Sequence, residues 1–444
     1  MSRYLKDIIK KHKSGRHAGI YSVCSASDWV LKAALNFAKQ QGTVVLIEST
    51  ANQVNQFGGY TGMQPHDFAQ HVYDLARDVG LAHEQVLLGG DHLGPVVWAN
   101  EPETVSMQKA RDLIQAYIRA GYQKIHIDTS MRLKEDDRSV VLSGKDIARR
   151  AAELFAAAYD TLLEMGTPEE EWPSFVIGSE VPVPGGAQES ELHVQVTKPE
   201  DLEATIQEFK TALHNRNLDR LWRHIIAIVV QPGVEFNDTE VRPYNRKEAE
   251  PLMQALKHYP GLVFEGHSTD YQPAYCLREM VEDGVCVLKV GPALTFALRE
   301  ALLALDMIET EWFNVIVDRE ATGLRYRLET LMQAQPSYWA KYYQGTPEEK
   351  RFKWIYSLSD RIRYYLPLPE VRQVVSQLLN NLRNETIPFS LMSQYMPVQA
   401  SKIRNGLLSS DPEALILDYI SEVLWDYQRA ISPGLEARQR LPKS

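Results

Sequence analysis

The chain has 444 residues, 44% of them hydrophobic and 24% charged, and a formal net charge of -10. This is the composition of an ordinary soluble globular protein, and the negative balance disfavours nonspecific binding to nucleic acid or to anionic membranes. No run approaches the roughly 20 apolar residues of a membrane span. The start MSRYLKDIIKKHKSG lacks a signal-peptide core, and Cys24, Cys276 and Cys286 lack metal-finger spacing, so the expected setting is the cytoplasm.

Eight short apolar runs follow, and nearly every one ends on a polar residue able to do chemistry. AGIYSVC ends near Ser25, TVVLIE at Glu48, VLLGG at Asp91 and His92, and KIHI at Asp128. FVIGS leads to Glu180, HIIAIVV to Gln231, GLVFEG to His267 and VCVL to Lys289. Stretches of helical periodicity separate them. Parallel strands joined by helical crossovers close most naturally into a (β/α)8 TIM barrel, which gathers functional groups at the C-terminal ends of its strands. An open doubly wound sheet is the alternative. It fits less well, because no G-x-G-x-x-G follows the first run and no G-x-x-x-x-G-K-[ST] occurs anywhere.

The barrel accounts for residues 1–300. From ALREALLALDMIETEW onward helical patterns dominate, which predicts a mainly helical subdomain over 301–444 packed on the barrel. Within it, RFKWIYSLSDRIRYYLPLPEV is dense in aromatics and arginines. That suits a helix packed on the barrel or an oligomer interface, or else Arg361 or Arg363 reaching a phosphate or substrate.

The segment LLGGDHLGP is the strongest local signal. An aspartate is costly to bury unpaired, whereas a neutral imidazole can bind metal while an adjacent carboxylate moves protons, which fits Asp91 beside His92. His267 and Glu180 stand at the ends of other buried runs, so the barrel would converge His92, Glu180 and His267 into a site for a divalent transition metal. Gln231 is a fourth ligand or a sugar-hydroxyl contact. Asp128 orients a ligand histidine, binds substrate or pairs with Lys124, and His126 shares its strand face as a substrate contact or an interior layer residue. The loop ESTANQVNQFGGYTG offers Asn52, Gln53, Asn55 and Gln56 to a polyhydroxylated ligand, with Gly58 and Gly59 allowing close approach; an irregular loop held by Asx turns is the plainer reading. Glu48, Ser268 and Asp270, at or just beyond strand ends, complete the expected substrate contacts, and Lys289 is placed to meet anionic charge.

Taken together, IESTANQVNQFGGYTGM, LLGGDHLGP, IGSEVPVPGG, VVQPGVEF, GHSTDYQ, LKVGPALTFALRE and YSLSDRIRYY resemble the non-catalytic subunit family of class II D-tagatose-1,6-bisphosphate aldolases, the GatZ/KbaZ family. That family is also similar to sugar C4-epimerases acting on fructose and tagatose, and both look like distant relatives of the class II zinc aldolases. By that resemblance Asp91 matches a catalytic aspartate, His92 and His267 match metal-binding histidines, and Glu180 a strand-end glutamate. Two departures stand out: His267 is followed by STD instead of a glycine-rich phosphate cradle, and Gln231 replaces a histidine.

Two functions follow. The first is a metal-dependent C4-epimerase of a ketohexose or ketohexose phosphate, working by retro-aldol and aldol steps. Asp91 is its base, Asp128 and Lys289 its further catalytic groups, and zinc, or else manganese, cobalt or nickel, its Lewis acid. The second is a stabilising partner of a catalytic aldolase subunit that turns over nothing itself. A homo-oligomer is compatible with both.

Overall fold

The computed structural model describes residues 2–179 and 194–432. Eight parallel strands close into a barrel. They are β1 (Ile20–Cys24), β2 (Val45–Thr50), β3 (Val86–Leu93), β4 (Lys124–Ile127), β5 (Ser174–Ile177), β6 (Ile225–Val230), β7 (Val263–Gly266) and β8 (Val285–Val290). Each pairs with its neighbours in chain order, and β1 closes the ring against β8, with Ile20 opposite Val287. The strands read as near-continuous apolar runs because both faces are covered; IIAIVV of β6 is buried throughout.

A helix follows each strand, from Asp28–Gln41 after β1 to Pro292–Trp312 after β8. A short antiparallel ribbon, Glu235–Phe236 against Val241–Arg242, stands between β6 and its helix. Among the described residues no helix is long and apolar enough to cross a membrane.

Beyond Trp312 the described chain is helical, from Leu324–Ala334 to Pro412–Ile431. A boundary at residue 300 falls inside helix Pro292–Trp312, which serves both the barrel and the tail. The final helix packs against Asp28–Gln41, Ala274–Asp283 and Pro292–Trp312, so it fills the outer layer across the seam where β1 meets β8. Trp425 meets Phe37 edge to face at 4.8 Å, and the Tyr427 hydroxyl donates to the Thr269 carbonyl at 2.8 Å. A second tie runs through Asp360, a buried residue at φ 48. Its carboxylate accepts from Thr295 Oγ1 at 2.5 Å and from Arg299 Nε at 3.1 Å. One continuous apolar core therefore runs through the barrel's outer layer and the tail.

Candidate metal centre

Three imidazoles converge at the C-terminal mouth of the barrel. The ring centroids of His92 and His267 are 4.9 Å apart, those of His92 and His126 5.2 Å, and those of His126 and His267 5.3 Å. His92 sits at φ 48, a left-handed conformation that is strained for a residue with a side chain and that clusters at functional sites. Its Nδ1 lies 2.7 Å from Asp128 Oδ2, and Asp128 also accepts from Ser130. Of the roles open to Asp128, the geometry is that of orienting a histidine; Lys124 pairs elsewhere.

Lys124 belongs to a second layer, deeper in the barrel. It stands 2.8 Å from Glu48 and 2.7 Å from Glu265, all three with no solvent exposure. Lys289 completes the network: it pairs with Glu48, lies 2.8 Å from Asp91 and 3.7 Å from Glu265. Gly89 explains part of this layout, because a Cβ there would come within 2.6 Å of Glu48 Cγ. Gly89 thus leaves room for a buried carboxylate on the neighbouring strand, while Gly90 leaves room for Leu93 and Tyr117.

Among the described residues, Asp91, His126, Glu265 and His267 each offer one ligand atom, all within 4.8 Å of one another, and could hold a metal ion. The donor chemistry fits a divalent cation. His126 Nδ1 lies 2.9 Å from Asp91 Oδ1, while its buried Nε2 has no hydrogen-bond partner. Nδ1 also accepts the His92 backbone N–H at 3.3 Å, and Nε2 is the ring atom left without a partner. Burial lowers the pKa of His267 to about 3 despite its 3.1 Å contact with Glu265, so it is a neutral donor. Burial opposes ionisation of Asp91 and Glu265, but the groups around them prevail. The charges of His92 and Lys289 and a hydrogen bond with His126 hold Asp91 well below the usual carboxylate range, and the charges of Lys124 and Lys289 with a hydrogen bond from His267 do the same for Glu265.

The expected ligand set was His92, Glu180, His267 and Gln231. His92 and His267 come together, and Glu180 lies outside the described residues. The Gln231 amide oxygen accepts from Gly233 N at 2.8 Å and Val234 N at 3.0 Å, so it closes its own Pro-Gly turn. His126, expected as a substrate contact, is instead in the metal-capable group. Glu265 and Lys124 escaped the sequence reading as site residues.

A cavity of about 550 Å3 opens above this cluster. Asp91, His92, His267 and Lys289 line its floor, and the expected contacts Asn52, Gln53, Ser268 and Asp270 line it too. Glu48 is locked beneath in its ion pairs. Asn55 stays inside the loop, donating to the Ala51 carbonyl and accepting from Phe57 N and Gly59 N. Gly59, at φ 56, serves the loop's own backbone, since a Cβ there would meet the Gln53 carbonyl at 2.3 Å.

A profile of the family described as D-tagatose-1,6-bisphosphate aldolase subunit GatZ/KbaZ-like matches residues 5–432. The chain belongs to this GatZ/KbaZ-like family. It is 46% identical over 428 residues to the D-tagatose-1,6-bisphosphate aldolase subunit GatZ of Klebsiella pneumoniae, covering 96% of this chain and 99% of that one. The subunit of the same name from Salmonella gallinarum is 45% identical over 431 residues, covering 97% and 100%. The solved structure of a probable tagatose 6 phosphate kinase from Sinorhizobium meliloti 1021 matches with a TM-score of 0.83 at 41% identity, covering 93% of this chain and 100% of that one.

These likenesses overturn the expectation of a ketohexose C4-epimerase, and with it that of an isomerase: the GatZ/KbaZ-like relatives carry the name of an aldolase subunit over nearly their whole length. The expectation rested on converged acid and base groups, yet convergence serves folding and metal binding equally well.

Proposed function

We propose that the chain is the non-catalytic subunit of a class II D-tagatose-1,6-bisphosphate aldolase: it stabilises a catalytic partner subunit in the cytoplasm, and its barrel mouth holds a structural divalent ion. The near end-to-end identity of 46% with an aldolase subunit carries this reading. The ion, with zinc the best fit to a mixed histidine and carboxylate set, would tie β3, β4 and β7 through Asp91, His126, Glu265 and His267. When bound, it supplies cross-linking energy that is lost on unfolding. The chain's own residues prepare the seat: Asp128 fixes the His92 ring, and Lys124 and Lys289 balance the carboxylates beneath. The natural ligand of the cavity above is a ketose or ketose phosphate.

Mixing the purified chain with a catalytic class II tagatose-bisphosphate aldolase subunit tests the reading. The chain alone should cleave no tagatose 1,6-bisphosphate, and its addition should raise the activity and the thermal half-life of the partner. An unchanged half-life together with unchanged activity would refute the subunit role.

A further inference from the structure

The tail's share of the cavity lining has a character unlike the histidines and carboxylates of the barrel mouth. Arg363, from the turn Arg361–Tyr364, and Arg372, from helix Pro369–Arg383, both line it. Among the described residues neither forms a salt bridge, although carboxylates lie near. Asp360, whose field reaches Arg363, is taken by Arg299 and Thr295. Asp28, whose field reaches Arg372, is paired with His71 at 2.8 Å. Asp270 accepts from Gly291 N at 2.9 Å and Ala293 N at 2.8 Å, and so occupies the start of helix Pro292–Trp312. The nearby negative charge is therefore engaged elsewhere, and two guanidinium groups face the cavity.

The wall behind them is aromatic. Arg363 lies 5.1 Å from the Tyr364 ring centroid, and Tyr364 in turn meets Tyr60 at 5.4 Å and Tyr338 at 5.3 Å. Tyr60 comes from the loop after β2, the other two from the tail, so this wall is a seam between barrel and tail. The surplus positive charge registers on the Tyr364 phenol. Burial raises its pKa, yet Arg363 and Arg361 bring it below its ordinary value. Arg361 itself is stacked on Tyr342 at 3.3 Å and does not line the cavity.

We propose that this end of the cavity is a subsite for a phosphate monoester, and that the cavity as a whole takes a phosphorylated polyol of hexose size. Arg363 and Arg372 hold the phosphate, Asn52, Gln53 and Ser268 meet hydroxyl groups, and Asp91 and His267 of the metal-capable group line the same cavity. Two guanidinium groups match a dianion, whereas a carboxylate would satisfy only one. The volume of about 550 Å3 lies within the usual range for small-molecule sites. Because the arginines belong to the tail and the polyol contacts to the barrel, an occupied site would fasten one to the other.

Calorimetric titration of the full, metal-loaded chain tests the assignment with four probes: D-fructose 6-phosphate, D-fructose, inorganic phosphate and D-glucuronate. The phosphate ester should bind at least tenfold more tightly than fructose, and inorganic phosphate should compete with it. Arg363→Gln and Arg372→Gln should each weaken the ester at least tenfold, and Arg363→Lys should recover part of the loss. Arg372 is on an exposed helical position, so its variant remains informative should Arg363→Gln misfold. Equal affinity for fructose and its phosphate, or an ester affinity untouched by Arg372→Gln, would overturn the subsite. Glucuronate binding as tightly as the ester would overturn the phosphate assignment. The ligand class rests in part on the subunit reading, but the two fail separately, because stabilisation of an aldolase partner is measured with no sugar phosphate titration.

Discussion

The His92 ring is held by Asp128 through a 2.7 Å hydrogen bond at Nδ1. With Nδ1 engaged, Nε2 faces Asp91 Oδ2 at 3.8 Å, so Asp128 sets the ring's orientation beside the metal-capable group. Asp128→Asn should therefore weaken metal binding by up to about tenfold without altering the fold, as expected for a residue that acts on the ligands through a neighbour. Competition against a chelating dye, with circular dichroism as the fold control, measures it. Unchanged affinity would remove Asp128 from the site.

His126 separates the ligand set seen in the structure from the one expected from the sequence. Its buried Nε2 has no partner, and its ring offers one ligand atom to the group formed with Asp91, Glu265 and His267. His126→Ala should abolish stoichiometric divalent metal in the purified chain and lower its thermal midpoint. A variant that retains a full equivalent by elemental analysis would show that the ion sits elsewhere.

Lys124 carries a buried charge between two buried carboxylates, Glu48 and Glu265. Removing one partner from such a set leaves uncompensated charge in a low dielectric, so Lys124→Met should cost about 3–5 kcal/mol of stability in urea unfolding. Adding Glu265→Gln to Lys124→Met should return part of that loss, since the two sites are directly coupled. Additive losses would mean that the pair does not interact.

Asp270 gives a dependence on pH with a definite sign. Burial raises its carboxyl from 3.8 to about 6, although two backbone N–H groups oppose the shift. Below about pH 3.8 the folded and unfolded chains both carry the proton; between there and about pH 6 only the folded chain keeps it. This contribution to stability is thus complete in acid and is lost as pH rises through about 6, for a total of about 3 kcal/mol from the 2.2-unit difference. Asp270→Asn should flatten that part of the stability profile while the Asn oxygen still accepts both N–H bonds. An unchanged slope between pH 4 and 7 would exclude Asp270 as its source.

All eight strands were legible, because a fully buried parallel strand must be apolar on both faces and its end must turn polar. The same rule hid Glu265 and Lys124. Each lies inside an apolar run, GLVFEG or KIHI, where a charged residue reads as punctuation. Two lysines and two glutamates in buried strands do signal pairing, but which pairs with which depends on barrel closure. Gln231 misled for a local reason: the Pro232-Gly233 turn beyond it leaves backbone N–H groups that its amide oxygen satisfies. Asn55 followed the Asx-turn alternative for the same reason. Of the two tail arginines singled out, only Arg363 lines the cavity, a choice made by the tyrosine stack around Arg361 and invisible in RIRYY.

The position of helix Pro412–Ile431 over the seam between β1 and β8 constrains the order of folding. The first strand emerges from the ribosome long before part of its outer cover, helix Pro412–Ile431, is made. Until then Phe37 lacks Trp425 and the Thr269 carbonyl lacks the Tyr427 hydroxyl. Nascent chains should therefore hold an incomplete barrel with exposed apolar surface until that helix emerges, a state prone to aggregation and suited to chaperone capture. Chains arrested before residue 412 should be cleared by proteolysis instead of accumulating as free barrels.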